Sequence, residues 1–115
     1  MRPEPVTVGY DVLFMHLPRK YEKLMLKEFE IDLAKSALSS DYARSQIQGS
    51  ETSGYELLLE GGGIQSESAL RVGFDGLRIT ERQTGITVER FSQKVREILE
   101  LAFKRLQIRF LFGQM

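Results

Sequence analysis

The chain contains no cysteine and no tryptophan, and only one histidine, His16. Without cysteine it has no disulfide framework, no thiolate nucleophile and no thiolate metal ligand, and one imidazole cannot build a zinc centre of the usual donor sets. No cofactor is expected. A reducing compartment fits this composition, so the cytoplasm is the expected location. An excess of either charge is also missing: sixteen Lys and Arg balance sixteen Asp and Glu. The summed field therefore offers no general attraction to phosphate backbones or anionic lipid, and nucleic acid is a disfavoured partner, possible only at a local patch. The apolar stretch 6–15 is interrupted by Gly9 and Asp11 and has no basic segment before it. It reads as a strand rather than a signal peptide, and no membrane association is expected.

What is present suits a folded domain. The chain has 115 residues, 42% hydrophobic and 28% charged, enough to bury one core and not two, so residues 1–115 are read as a single domain. Over 6–16, Val6, Val8, Tyr10, Val12 and Phe14 fall on one face of a strand, with Thr7, Gly9, Asp11, Leu13 and Met15 on the other. Pro18 ends it. Residues 19–38 lack Gly and Pro and repeat Tyr21, Met25, Phe29 and Leu33 at helical spacing, which predicts a helix. A short strand over 29–33 competes, because Phe29, Ile31 and Leu33 also alternate with charged residues. Residues 39–54 are rich in Ser, Gln and Gly and are expected to form a mobile polar loop.

Three strands of a meander follow, at 55–60, 64–74 and 77–82. A two-residue Asp75-Gly76 loop would place Val72 opposite Ile79, Phe74 opposite Leu77, Leu70 opposite Glu81 and Arg71 opposite Thr80. One side of that hairpin is apolar and the other basic. Thr87 is the expected N-cap of a second helix, whose stripe is Val88, Phe91, Val95, Ile98, Leu99, Ala102 and Leu106, with Glu89 in its first turn and Lys104 and Arg105 in its last. Ile108, Phe110 and Phe112 alternate in a final strand.

The expected fold is therefore α+β: strand, helix, three-strand meander, helix, strand, in a mostly antiparallel sheet with two helices on one face. By analogy alone this order is that of a ferredoxin-like split sandwich.

Candidate sites are few. His16 stands at a strand end with no nucleophile or second ligand near it in sequence, so it reads as a strand-end residue rather than a general base. Glu28 with Asp32 and Glu97 with Glu100 lie at helical spacing among Lys27, Lys35, Lys94 and Lys104, and read as solvated faces rather than cation sites. Glu60 and Gly61-Gly62-Gly63 lack the ending of a phosphate-binding loop.

Two functional readings remain. The first is a non-enzymatic protein-interaction or assembly module that binds itself or another protein. Leu101, Phe103, Phe110, Leu111 and Phe112 are its expected contact, because two helices have difficulty covering both faces of a sheet. The second is an anion or nucleic-acid site on Arg71, Arg78 and Arg82, joined by the helix start at Thr84, Gly85 and Thr87. The basic face carries no aromatic residue for stacking a base, which counts against the second reading.

Overall fold

The computed structural model describes residues 9–36, 41–106 and 112–114, the last three by their backbone. Eight elements follow one another: β1 (Gly9–Met15), α1 (Lys23–Ala34), β2 (Arg44–Ser50), β3 (Gly54–Gly61), β4 (Glu67–Val72), β5 (Gly76–Arg82), α2 (Val88–Leu106) and β6 (Phe112–Gln114). The strands make one six-stranded sheet in the order β2-β3-β4-β5-β1-β6, and every pairing is antiparallel. The fold is α+β, as the pattern predicts. Six strands exceed the four of a split β-α-β sandwich, since β2 and β3 extend the sheet beyond β4.

Alternation decides which face is core. Val12 of β1, Leu77 and Ile79 of β5, Leu70 and Val72 of β4, and Leu57 and Leu59 of β3 form one continuous layer. Leu26, Phe29 and Leu33 of α1 pack on it together with Phe91, Val95, Ile98, Ala102 and Leu106 of α2. Both helices therefore cover the same side. Burying a large aliphatic or aromatic side chain contributes about 1.5 to 3 kcal/mol before entropy is subtracted, and this single layer is where the burial occurs. The periodicity in 29–33 resolves as helix. A strand would put Ile31 beside Phe29 and Leu33, whereas here Ile31 is exposed and its two neighbours are buried.

Four expectations need correction. First, residues 44–50 of the expected loop form strand β2, joined to β3 by a hairpin whose register runs from Arg44↔Glu60 to Ser50↔Gly54. The strand buries little, only Ile47 being half-covered, so it carries no alternating apolar signal. Second, α1 begins at Lys23 rather than at residue 19, because the segment before it does other work: Tyr21 bridges to Tyr55, and the Tyr55 N–H donates to the Tyr21 carbonyl at 3.0 Å.

Third, β4 starts at Glu67; Ile64, expected in that strand, is fully exposed in the preceding turn. Fourth, the hairpin register is Val72↔Leu77, Arg71↔Arg78, Leu70↔Ile79 and Ala69↔Thr80, not the one an Asp75-Gly76 loop would give. The loop is Phe74-Asp75, closed by the Gly73 N–H on the Gly76 carbonyl at 2.9 Å. Tertiary contacts hold it there, since the Phe74 and Asp75 carbonyls accept from the Arg19 and His16 N–H groups at 2.8 and 3.0 Å. A displacement of two residues preserves the faces, so the separation of apolar from basic side survives.

Helix α2 starts as expected, with the Arg90 N–H on the Thr87 hydroxyl at 3.1 Å. The strand expected over 108–112 falls mostly outside the described residues. Its end, β6, lies beside β1, with Phe112 paired to Met15.

Candidate functional site

Three places, and one enclosed histidine, hold the features that bear on function. The first is closed. Glu81 is on the core face of β5 and Lys94 is on the buried side of α2, three residues after Phe91 and four before Ile98; they are 3% and 2% exposed. The Lys94 ammonium is 2.5 Å from Glu81 Oε2 and 3.0 Å from Asp41 Oδ2, while Ser68 and Thr84 donate to Glu81 Oε1 at 3.0 and 2.9 Å. Four hydrogen bonds satisfy the two buried charges, one between them and three to Asp41, Ser68 and Thr84, as such a pair requires. Burial acts to lower the Lys94 pKa, but Tyr42 and the hydrogen bonds to Glu81 and Asp41 outweigh it and raise the value above the usual lysine range. Lys94 also lies 4.5 Å from the Tyr42 ring centroid. Burial pushes the Tyr42 phenol up to about 12 against the opposing charge of Lys94. This cluster ties α2 and β5 to the segment that enters β2. Lys94, read from sequence as solvated, is a correction; its spacing to Phe91 and Ile98 was the available signal.

His16 is likewise enclosed. Its Nδ1 is 2.7 Å from the Leu17 carbonyl, and Nε2 is 2.9 Å from the Tyr21 hydroxyl. With Nδ1 protonated toward that carbonyl, Nε2 accepts the tyrosine proton, so both nitrogens are engaged. Burial raises the Tyr21 phenol to about 12, against the opposing charge of Arg19.

The second place is the sheet face that no helix covers among the described residues. Arg71 and Arg78 are direct cross-strand neighbours there, and Arg82 lies on the same face opposite Glu67. The sequence reading brought these arginines together, and the structure does so too, but each is matched by a carboxylate. Arg71 pairs with Glu56 at 2.7 Å, Arg82 with Glu67 at 3.0 Å, and Arg78 holds Asp11 through two hydrogen bonds of 3.0 and 3.1 Å. Thr80 adds a third bond to Asp11. The helix start is occupied as well, Thr84 by Glu81 and Thr87 by the Arg90 N–H. Gly85 adopts φ 76° within that turn.

The third place is the free edge. β2 is the last strand on its side of the sheet and pairs with β3 alone among the described residues. Helix α1 lies over β2 and β3, leaving a groove between helix and edge. One part, about 630 Å³, is lined by Lys23, Leu24, Lys27, Glu30, Ser45, Gln46 and Ile47. The other, about 260 Å³, continues past Ile31, Ala34, Tyr42 and Ala43. Lys27 and Glu30 neutralise each other at 3.3 Å. Leu24 is 69% exposed and Ile31 43%, so exposed apolar side chains stand on a rim that also carries Lys23, Lys27, Glu30 and Arg44. Sequence reasoning missed this place because β2 itself was missed.

Of the expected contact residues, Leu101 is half-buried against the core and Phe103 is 51% exposed. Phe112 begins β6, and Phe110 and Leu111 lie outside the described residues. No helix among the described residues is long and apolar enough to cross a membrane. Comparison of the chain with protein-family models, with curated proteins and with solved structures finds no match. The functional argument rests on the geometry of this chain.

Proposed function

We propose that the protein is a non-enzymatic interaction module that joins other protein chains through the β2 edge of its sheet, in a reducing compartment such as the cytoplasm. The observation that carries the reading is the edge itself. Seven residues of strand have one neighbour among the described residues, beside a groove rimmed by Leu24, Ile31 and Ile47. An edge strand offers a row of N–H and C=O groups to an incoming strand, and native sheets usually block it with inward charge, Pro, a bulge or a covering element. β2 has one charged residue, Arg44, at its start and no Pro. An added strand would gain main-chain hydrogen bonds from β2 and place alternate side chains in the groove, the pattern of β-strand addition. The exposed Phe103 offers a further contact on this reading.

The alternative, an anionic ligand or nucleic acid on Arg71, Arg78 and Arg82, has weaker support, because their partner carboxylates already neutralise them.

The test is to follow the amide resonances of β2 while adding extended peptides selected from a displayed library, and separately while raising the protein's own concentration. Shifts concentrated in β2 and at the Leu24 and Ile47 methyls in either arm support the reading. If β2 is unaffected in both arms up to millimolar concentration, the reading is wrong.

A further inference from the structure

The side chains of β2 read nearly the same in both directions around Ile47: Ser45-Gln46-Ile47-Gln48-Gly49 is small, amide, aliphatic, amide, small. The axis of that near-palindrome is the residue that turns toward the groove beside Leu24. We infer that the strand added at this edge is the β2 of a second copy, antiparallel and related by a two-fold axis at Ile47. The inference rests on the proposed function and names its partner.

A two-fold axis makes an isologous contact, in which each residue meets the same surface it presents. Ile47 then faces Ile47 of the second copy, on the helix side of the sheet. The exposed Leu24 of each α1 stands above that pair, so four aliphatic side chains meet where each copy alone exposes them. Ser45 faces Gly49, and two small residues leave room for the aliphatic cluster. On the uncovered side Gln46 faces Gln48 twice, and an amide both donates and accepts, so either orientation is satisfied. Along the strand itself charge does not oppose the pairing, since Arg44 is the single charged residue of β2. Arg44 would lie opposite Ser50, and the two Arg44 residues would stand about 20 Å apart at a strand rise of roughly 3.3 Å per residue. Within its own chain Arg44 faces Glu60, 3.9 Å away.

Gln46 and Gln48 are exposed and belong to the uncovered face, so they can be changed without touching the core. In the inferred register Gln46→Lys with Gln48→Lys sets lysine against lysine at both pairs, whereas Gln46→Lys with Gln48→Glu sets lysine against glutamate. Directly opposed charges contribute or cost roughly 0.2 to 1 kcal/mol per cross-strand pair. The dimer dissociation constant of the lysine–lysine variant should therefore rise about tenfold over the wild type, with that of the lysine–glutamate variant at or below it. Sedimentation and light scattering measure the constants, and thermal unfolding at high dilution checks that both variants keep the fold.

Equal self-association of the two variants overturns the register and the inference with it. A wild type that stays monomeric at millimolar concentration, while library peptides still shift β2, overturns the second copy but leaves the edge as an interaction site. A monomer whose β2 answers to nothing overturns both.

Discussion

The ammonium of Lys94 and the carboxylate of Glu81, 2.5 Å apart with each residue at most 3% exposed, form an ion pair inside the layer between α2 and β5. Its two charges are balanced against each other and against Asp41, Ser68 and Thr84. Removing one member of such a pair strands the other, which typically costs about 3 to 5 kcal/mol, whereas replacing both by apolar groups can be nearly neutral. Lys94→Met and Glu81→Leu should each lower the urea midpoint strongly, and the double variant should be more stable than either single one. Additive losses would mean that the two groups do not stabilise each other. Because Lys94 also holds Asp41, Lys94→Met should speed hydrogen exchange in β2 more than in β4.

The two buried phenols make alkaline stability a second prediction. Tyr21 and Tyr42 both ionise near 12 in the fold, against 10.0 when unperturbed. A group whose folded pKa is raised contributes stability that is complete below its unfolded pKa and disappears as pH rises through the folded one. The Lys94 pKa is raised as well and acts in the same direction. Stability should hold up to about pH 10 and fall between about 10 and 12, with late phenolate absorbance from Tyr21 and Tyr42. Tyr21→Phe should remove one late-titrating phenol and part of this alkaline loss. It also takes a hydrogen bond from His16 Nε2, at a cost of roughly 1 kcal/mol at neutral pH.

The core was legible in the sequence because its positions repeat at helix or strand period. Of the expected stripe Phe91, Val95, Ile98, Ala102 and Leu106 are buried as spaced, while Leu99 is half-buried and Val88 is exposed, and Val12, Leu70 and Ile79 alternate onto one sheet face. β2 was not legible, since an edge strand with one half-covered residue leaves no period to find. The β4–β5 register was misread for a different reason. Asp75-Gly76 favours a tight loop locally, but His16 and Arg19 draw the carbonyls of Asp75 and Phe74 into another one. The pairing of each arginine on the open face with a carboxylate was also hidden. Asp11 and Arg78 are far apart in sequence and meet only when β1 docks on β5.

Gly76 carries a third prediction, and its reason is close approach rather than backbone freedom. A Cβ there would stand 2.8 Å from the Phe14 carbonyl oxygen and 3.3 Å from Leu13 Cδ1. Since Gly76 pairs with Met15, any side chain pushes β1 away from β5. Gly76→Ala should cost about 1 to 3 kcal/mol, the range for an overpacked site, and Gly76→Val more. Gly73→Ala, in the same turn, would meet only a flexible Glu56 carboxylate at 3.2 Å and should cost less. Equal losses at the two positions would show that the turn, and not the contact with β1, sets the requirement.

The last prediction concerns the open face, where four arginines and four carboxylates alternate: Arg44, Arg71, Arg78 and Arg82 against Glu60, Glu56, Asp11 and Glu67. Affinity for a nucleic-acid strand comes chiefly from cations that release counterions from phosphates, and an arginine already held by a carboxylate has less to offer. The wild type should therefore show no measurable affinity for single-stranded DNA or RNA at physiological salt. Asp11→Asn with Glu56→Gln neutralises the partners of the adjacent Arg78 and Arg71. Exposed ion pairs contribute at most about 1 kcal/mol each, so the variant should remain folded. It should gain an affinity for single strands that falls with salt at a log–log slope of about −0.7 for each phosphate contacted. Reversing Arg71 and Arg78 to glutamate in that background should abolish the gain. If the wild type binds as tightly as the variant at every salt concentration, the carboxylates do not silence this face and the anion-binding reading returns.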